Sequence, residues 1–188
     1  KQGLINSLTK EGINFKKSSI NKNLGGKTSE ILKGFHITNK EKIKQIIKDI
    51  DMEKENNIKK VKLTPKSKET IKRLRKFTLF IVSNAETDFI KKICKRENLK
   101  KYFKKILGAE KFKNKATAIK RILRKHHYKK DQAIFIGDRY TDVIQGKHAG
   151  IITVAKSDKY SWSTKKDLLK QNPDFLISKI EDIVKIVN

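Results

Sequence analysis

Short apolar runs alternate with helical patterns through residues 61–188, and this alternation most restricts the fold that the chain can adopt. Each run is short and nearly continuous in apolar residues, as is typical of buried strands in a parallel sheet. Strands that alternate with helices predict an α/β fold with a doubly wound parallel sheet. The predicted strands are Phe77–Val82, Ile106–Gly108, Ala133–Ile136, Ile151–Ala155 and Phe175–Ile177.

The first sixty residues carry a different pattern, which is helical throughout. One helix is predicted from an isoleucine stripe at i, i+3, i+4 and i+7, formed by Ile43, Ile46, Ile47 and Ile50. No strand signal appears before about Val61, where Thr64-Pro65 predicts the start of the next helix. We therefore predict a helical subdomain at 1–60 and an α/β core at 61–188.

The chain is strongly basic, and its charge is concentrated in one segment. Lys and Arg number 47 against 20 Asp and Glu, a formal net charge of +27, and residues 91–130 hold 17 basic and 2 acidic groups. Such a segment can bind a polyanion such as nucleic acid if its charges share one face. The excess of Lys, Ile and Asn is also typical of an AT-rich genome. Both a polyanion surface and a compositional bias remain open.

Other sequence features favour a cytoplasmic protein. No apolar run approaches the ~18 residues of a transmembrane helix, and no secretory or transit signal is visible at the start. The single cysteine, Cys94, suits a reducing compartment. Tyr160 and Trp162 follow a predicted strand and are expected to be packing residues, with a stacking platform as the alternative.

Two carboxylates, Asp138 and Asp142, follow the predicted strand Ala133–Ile136 in the sequence IFIGDRYTD. The carboxyl ends of parallel strands carry the chemistry of such sheets, and Gly137 allows the turn that presents Asp138 there. A spacing of four brings Asp142 near the same point if the segment is helical. Two converging carboxylates form an oxygen site suited to Mg²⁺. The alternative is a turn residue followed by a helix cap.

Ser83 and Lys115 are further polar candidates at such positions. Ser83 ends a predicted strand, and its hydroxyl with the backbone N–H of Asn84 could cradle a phosphate, unless Ser83 only caps the next helix. Lys115 opens a helix and would supply a fixed positive charge to a phosphoryl group, although a solvated surface lysine fits the same pattern. A strand that ends in Ser83, a helix that begins with Lys115 and the Asp138 segment follow one another in this order. Their order is a more specific indication of a phosphate site than any one of the three alone.

That order resembles the haloacid dehalogenase superfamily of phosphohydrolases, in the subgroup of phosphoglycolate phosphatases and β-phosphoglucomutases. FTLFIVSN is similar to the second motif of the family, Lys115 in NKATAIKRIL to the third-motif lysine, and AIFIGDRYTDVIQGKHAGIITV to the fourth motif. The resemblance covers nearly the whole chain. It implies a Rossmann-like core preceded by a helical cap at 1–60.

One part of the family pattern is missing from this sequence. The first motif, a strand ending in Asp-x-Asp-Gly-Thr, supplies the nucleophile and the general acid/base and should lie just before the cap. Here the only Asp-x-Asp is Asp49-Ile50-Asp51, which ends a helical stripe and lacks the Gly-Thr. We interpret it as a helix-end charge pair. We expect the first core strand and the nucleophile to lie upstream of Lys1, and residues 1–188 alone to lack turnover.

The resemblance implies a Mg²⁺-dependent phosphatase that acts on a small phosphorylated metabolite through an aspartyl-phosphate. It implies metal binding by Asp138 and Asp142. It implies phosphate binding by Ser83, Asn84 and Lys115, with catalytic roles for Ser83 and Lys115. The rival class is a non-catalytic protein of the same fold that binds a polyanion such as nucleic acid.

The cap implied by the resemblance helps to choose among substrates, because it closes over them. Its candidate substrate-contacting positions are Gly25, Gly26 and Lys27. We expect no membrane association, and the oligomeric state stays open.

Overall fold

The computed structural model describes residues 2–16, 20 and 26–187 of the chain. The chain divides into two compact units, Lys1–Lys62 and Leu63–Asn188. Among the described residues, no helix combines the length and the apolarity that crossing a bilayer requires.

The first unit is helical in its described residues. Its helices are α1 (Gln2–Lys10), α2 (Thr28–Gly34) and α3 (Lys40–Asn56), followed by a 3₁₀ turn at Ile58–Lys60. The described residues of this unit contain no strand, in agreement with the helical section that the sequence predicts.

The predicted isoleucine stripe is the face by which α3 contacts the core of the first unit. Ile46 and Ile50 are buried, and the other two isoleucines pack at the margin of the same cluster. The helix begins after Asn39, whose side chain accepts the backbone N–H of Lys42 at 2.8 Å. This N-cap satisfies one of the donors that the first helical turn leaves free.

The second unit alternates strands and helices, as its sequence predicts. Its strands are β1 (Leu79–Val82), β2 (Phe103–Leu107), β3 (Ile134–Gly137), β4 (Ile152–Lys156) and β5 (Phe175–Ile177). Its helices are α4 (Ser67–Arg73), α5 (Thr87–Arg96), α6 (Lys115–His126), α7 (Tyr140–Ala149), α8 (Lys165–Leu169) and α9 (Ile183–Ile186). The strand pairings are parallel, which confirms the α/β class.

The strands of the second unit form two parallel sheets. β1 pairs with β2, and β4 lies between β3 and β5 in the second sheet. Within the described residues, β4 alone therefore pairs on both sides, and β1 and β3 are edge strands, as are β2 and β5. The apolar residues of both strands are half-buried, although their continuous apolar sequences predict fully buried strands. The doubly wound sheet predicted from the sequence is thus divided between β1 and β3.

Helix α4 begins later than the Thr64-Pro65 signal predicts. Lys66 adopts the left-handed conformation, with φ of 62°, and the helix begins only at Ser67. The hydroxyls of Thr64 and Ser67 lie 2.6 Å apart. Thr64 therefore belongs to a turn before the helix, and the predicted cap position is wrong.

A carboxylate links the start of β5 to β4. Asp174 accepts hydrogen bonds from the backbone N–H and the hydroxyl of Thr153, both at 2.7 Å. These bonds, the one from the Thr153 hydroxyl first, lower the pKa of Asp174 below its ordinary value. A lowered pKa in the folded state means that the ionised carboxylate stabilises the fold.

We expect Asp174→Asn to reduce the free energy of unfolding by about 1 kcal/mol at neutral pH. The difference from wild type should shrink as the pH falls through the lowered pKa of Asp174, because protonation removes the charged acceptor from the wild type as well. Urea unfolding across this pH range measures the difference. Asp131→Asn, at an exposed position, is the matched control. A difference for Asp174→Asn that persists unchanged at acidic pH contradicts this account.

Candidate active site

The candidate site begins where the chain leaves β3 at Gly137 and Asp138. A Cβ atom on Gly137 would lie 2.3 Å from the Cβ of Asp142 and 2.5 Å from its Oδ2. Real side chains do not approach so closely, so a residue other than glycine would displace Asp142. Glycine at this position therefore lets the first turn of α7 bring Asp142 against the end of the strand.

Lys115 and Asp142 form a buried ion pair between the first turns of α6 and α7. The Lys115 Nζ lies 2.6 Å from the Asp142 Oδ1, and the two side chains are only 12% and 7% exposed. The same Nζ lies 5.8 Å from the centroid of the Phe135 ring on β3, within the range of a cation–π interaction. The sequence predicts both charged groups at the site, and the structure shows that they are direct partners.

Helix α6 is fixed at its first residue by two local contacts. Asn114 accepts the backbone N–H of Thr117 at 2.9 Å, within a capping box. The side chain of Gln145 on α7 accepts the backbone N–H of Ala116 at 3.0 Å. These bonds satisfy free donors of the first turn of α6 and hold Lys115 opposite Asp142.

Asp138 is half-buried at the carboxyl end of β3. Burial raises the pKa of Asp138 above its ordinary value, and the nearby charge of Asp142 raises it further. A hydrogen bond from the backbone N–H of Trp162 and the charge of Lys156 oppose this rise. Asp138 and Asp142 are thus two carboxylates held near each other with incomplete charge compensation.

A loop after β4 contacts the Asp138 segment through backbone groups. The Ser163 backbone N–H donates to the Asp138 carbonyl at 3.2 Å, and the Ser163 hydroxyl accepts the Tyr140 backbone N–H at 3.0 Å. At the start of the loop, buried Lys156 forms an ion pair with Asp158.

The sequence did not lead us to predict that Lys156, Trp162 and Ser163 influence Asp138 or contact its segment. A signal existed for Lys156, because it ends β4 and so satisfies the strand-end rule that selects Ser83. Trp162 acts on Asp138 through its backbone N–H, for which its residue type gives no signal.

Ser83 and Asn84 follow the end of β1 and are half-buried. The Ser83 backbone N–H donates to the Leu107 carbonyl at 3.0 Å, and its hydroxyl accepts the Ala85 backbone N–H at 3.2 Å. In the described part of the chain, no hydrogen bond joins Ser83 to Asp138 or Asp142. The structure thus brings Lys115, Asp138 and Asp142 together, while the phosphate-binding roles of Ser83 and Asn84 stay predictions.

The candidate substrate positions of the first unit are only partly described. Gly25 lies outside the described residues, whereas Gly26 and Lys27 are described and half-buried. Lys27 occupies the N-cap position of α2, where its carbonyl accepts the backbone N–H groups of Glu30 and Ile31, both at 3.0 Å. The substrate contacts of these three positions stay predictions.

The basic segment is exposed along neighbouring elements of the second unit. Helix α5 packs against β2 and the 3₁₀ turn before it. The exposed basic residues on these elements are Lys91, Lys92, Lys95, Arg96, Lys100, Lys101, Lys104 and Lys105. Some of them have acidic neighbours, as Lys91 has Asp88 at 3.2 Å. Binding of a polyanion by this surface stays a prediction.

Asp138 and Asp142 are the oxygen donors that this site offers to a metal. The described residues contain no cluster of three or more His, Cys, Asp or Glu side chains that could hold a metal ion. Mg²⁺ commonly binds through one or two carboxylates and keeps several of its waters. The raised pKa of Asp138 is consistent with a cation site, because a bound cation would offset the cost of burying this charge beside Asp142. The donor pair therefore fits Mg²⁺.

Comparison with known sequences identifies similar proteins. The sequence model of the haloacid dehalogenase-like hydrolases matches residues 3–156. A phosphoglycolate phosphatase from Vibrio parahaemolyticus is 27% identical over 130 residues, which cover 66% of this chain and 56% of that protein. The pyrophosphatase PpaX from Listeria welshimeri is 31% identical over 116 residues, which cover 59% of this chain and 52% of that protein. The chain thus spans about half the length of the curated relatives that it matches.

A solved structure shows the same arrangement of helices and strands. A haloacid dehalogenase-like family hydrolase from Streptococcus pneumoniae has a TM-score of 0.83 with this chain, at 20% identity. The match covers 100% of this chain and 89% of that chain. At this level of identity the likeness establishes the fold.

Proposed function

Because the chain belongs to the haloacid dehalogenase-like hydrolase family, we propose that the intact protein is a phosphatase that hydrolyses phosphate monoesters of small metabolites. One observation carries this proposal. Lys115, whose side chain is 12% exposed and lies 2.6 Å from Asp142, is placed with Asp138 at the carboxyl end of β3. Carboxylates for a divalent cation and a fixed lysine charge are the groups that stabilise phosphoryl transfer.

Asp138 and Asp142 would hold Mg²⁺ in this proposal. The bound cation supplies positive charge that offsets the charge of the phosphoryl group and favours the approach of an anionic nucleophile. Lys115 binds Oδ1 of Asp142 and so orients that carboxylate while adding its own charge to the site. Ser83 and the backbone N–H of Asn84 would bind the phosphoryl oxygens at the end of β1.

We further propose that phosphoryl transfer passes through an aspartyl-phosphate on an Asp outside residues 1–188. In that step the carboxylate oxygen bonds to phosphorus as the bond from phosphorus to the leaving oxygen breaks. The leaving oxygen takes a proton from a general acid, and water then hydrolyses the acyl phosphate to inorganic phosphate. Gly25, Gly26 and Lys27 are proposed substrate contacts of the first unit.

Metal removal tests the proposed function. The intact protein, incubated with 2-phosphoglycolate and Mg²⁺, is expected to release inorganic phosphate. EDTA should remove most of this release, and excess Mg²⁺ should restore it, because the two carboxylates need a cation to accept an anionic substrate. Phosphoglycolate is the first substrate to test because one similar protein is a phosphoglycolate phosphatase. Other small phosphate monoesters are tested after it. Phosphate release that EDTA leaves unchanged contradicts the metal assignment, and no release from any ester contradicts the proposed function.

A further inference from the structure

The side chain of Trp162 is unusually exposed for its type. It is 56% exposed, the largest fraction among the exposed large hydrophobic side chains of the described residues, and Tyr160 is 49% exposed. The expectation that both residues pack is therefore wrong. A Trp side chain gains stability from burial, so the exposed indole has apolar area that a bound ligand would cover.

The loop that carries Trp162 is fixed to the Asp138 segment at the next residue, Ser163. The residue after Trp162, Ser163, donates its backbone N–H to the Asp138 carbonyl at 3.2 Å. Ser163 also accepts the Tyr140 backbone N–H at 3.0 Å. These contacts on both sides of Asp138 hold the backbone next to Trp162 beside the candidate site.

The rest of the loop is held by its own hydrogen bonds. Asp158 accepts the Tyr160 backbone N–H at 3.0 Å, and the Ser161 hydroxyl accepts the Asp158 backbone N–H at 2.9 Å. At its start, the Ser157 backbone N–H donates to the Ile177 carbonyl at 2.8 Å. A loop held in this way presents a side chain with little loss of conformational entropy on binding.

Trp162 also differs from its aromatic neighbour in having an uncovered ring. The Lys159 Nζ lies 5.2 Å from the centroid of the Tyr160 ring, a cation–π contact. In the described part of the chain, no ring or cation contact of this kind involves Trp162. An exposed indole on a loop held beside a candidate phosphate site is able to stack on a planar ring of the ligand.

We propose that Trp162 is a specificity residue, whose indole stacks on a planar ring in the leaving group of the phosphate ester. This inference rests on the proposed phosphatase function. It predicts that esters with an aromatic or nucleobase ring near the ester oxygen bind more tightly than aliphatic esters of the same charge. The Ser163 backbone N–H makes the contact with Asp138, so a substitution of the Trp162 side chain separates stacking from support of Asp138.

Two phosphonates that the protein cannot hydrolyse as esters test this proposal. Phenylphosphonate and methylphosphonate carry the same ionisable group and differ in the planar ring. Their binding to the intact protein with Mg²⁺ is measured by calorimetry in wild type, Trp162→Ala and Trp162→Phe. Phe175→Ala, which removes an exposed ring from the start of β5, is the matched control. Trp162 is the only Trp within residues 1–188, and the ligand-dependent fluorescence that wild type shows and Trp162→Phe lacks reports ring contact at this residue.

Wild type and Phe175→Ala are expected to bind phenylphosphonate about fivefold or more tightly than methylphosphonate. Trp162→Ala should lose this preference while keeping its affinity for methylphosphonate, and Trp162→Phe should retain part of the preference. Phenylphosphonate should quench wild-type fluorescence more than methylphosphonate. Equal binding of both ligands by wild type, or a preference that survives in Trp162→Ala, overturns the stacking role and leaves the phosphate site intact. Failure to bind either phosphonate contradicts the phosphate site and so the proposed function.

Discussion

In the intact protein, Asp138→Asn is expected to lower kcat/KM for phosphate monoesters by about 100-fold or more. Asparagine keeps the size and an oxygen of the side chain but loses the charge that would bind Mg²⁺. Phosphate release at saturating and limiting substrate measures this effect. Mg²⁺ should also raise the thermal midpoint of wild type and not of the variant, because only a cation bound to the folded state stabilises it.

The same substitution is expected to leave the free energy of unfolding unchanged or to increase it. Burial and Asp142 raise the pKa of Asp138 in the folded state, so folding disfavours its ionised form. The unfolded chain then loses this proton first as the pH rises, and the contribution of Asp138 to stability falls above the ordinary pKa of an Asp. Asparagine removes that cost. A variant that loses activity and stability together would show that Asp138 has a structural role instead.

Lys115→Met is expected to reduce the free energy of unfolding by about 3–5 kcal/mol. The substitution leaves the Asp142 carboxylate, which is 7% exposed, without its partner at 2.6 Å. Removing one member of a buried ion pair is costly because the remaining charge has neither water nor a counter-ion. Chemical denaturation of the variant and wild type measures the loss.

Two further variants separate this effect from general damage to α6. Lys120→Met, at an exposed position on the same helix, is expected to change stability by no more than about 0.5 kcal/mol. The double variant Lys115→Met/Asp142→Asn should recover most of the loss, because it removes both charges. If Lys115→Met costs no more than Lys120→Met, the ion pair does not contribute as its burial implies.

The helices and strands of the second unit are largely predictable because their signals are local. A short apolar run predicts a strand, and the Gly137-Asp138 pair that follows it predicts where the strand ends. In the structure β3 ends at Gly137. The start of α4 is less predictable, because it depends on the left-handed backbone of Lys66. No residue type other than glycine or asparagine signals that conformation strongly.

The contacts of the candidate site are predictable only in part. The rule that chemistry lies at strand ends selects Asp138 and Ser83 from the sequence, and Lys115 is selected as the first residue of a predicted helix. It does not predict that Lys115 pairs with Asp142, 27 positions later, because periodicity describes one element at a time. The strand-end rule also does not predict that the loop after β4 supports Asp138, because backbone N–H groups make those contacts.

The division of the sheet affects how copies of this chain behave at high concentration. A strand that pairs on one side only can act as a template for a strand of another molecule, and charged side chains such as lysine discourage this. β2 carries exposed Lys104 and Lys105. The sequences of β1 and β3, LFIV and IFIG, carry no charge, and their residues are half-buried. The third uncharged edge strand is β5, FLI, with exposed Phe175 at its start. We therefore expect aggregation of residues 1–188 to begin at these three edges.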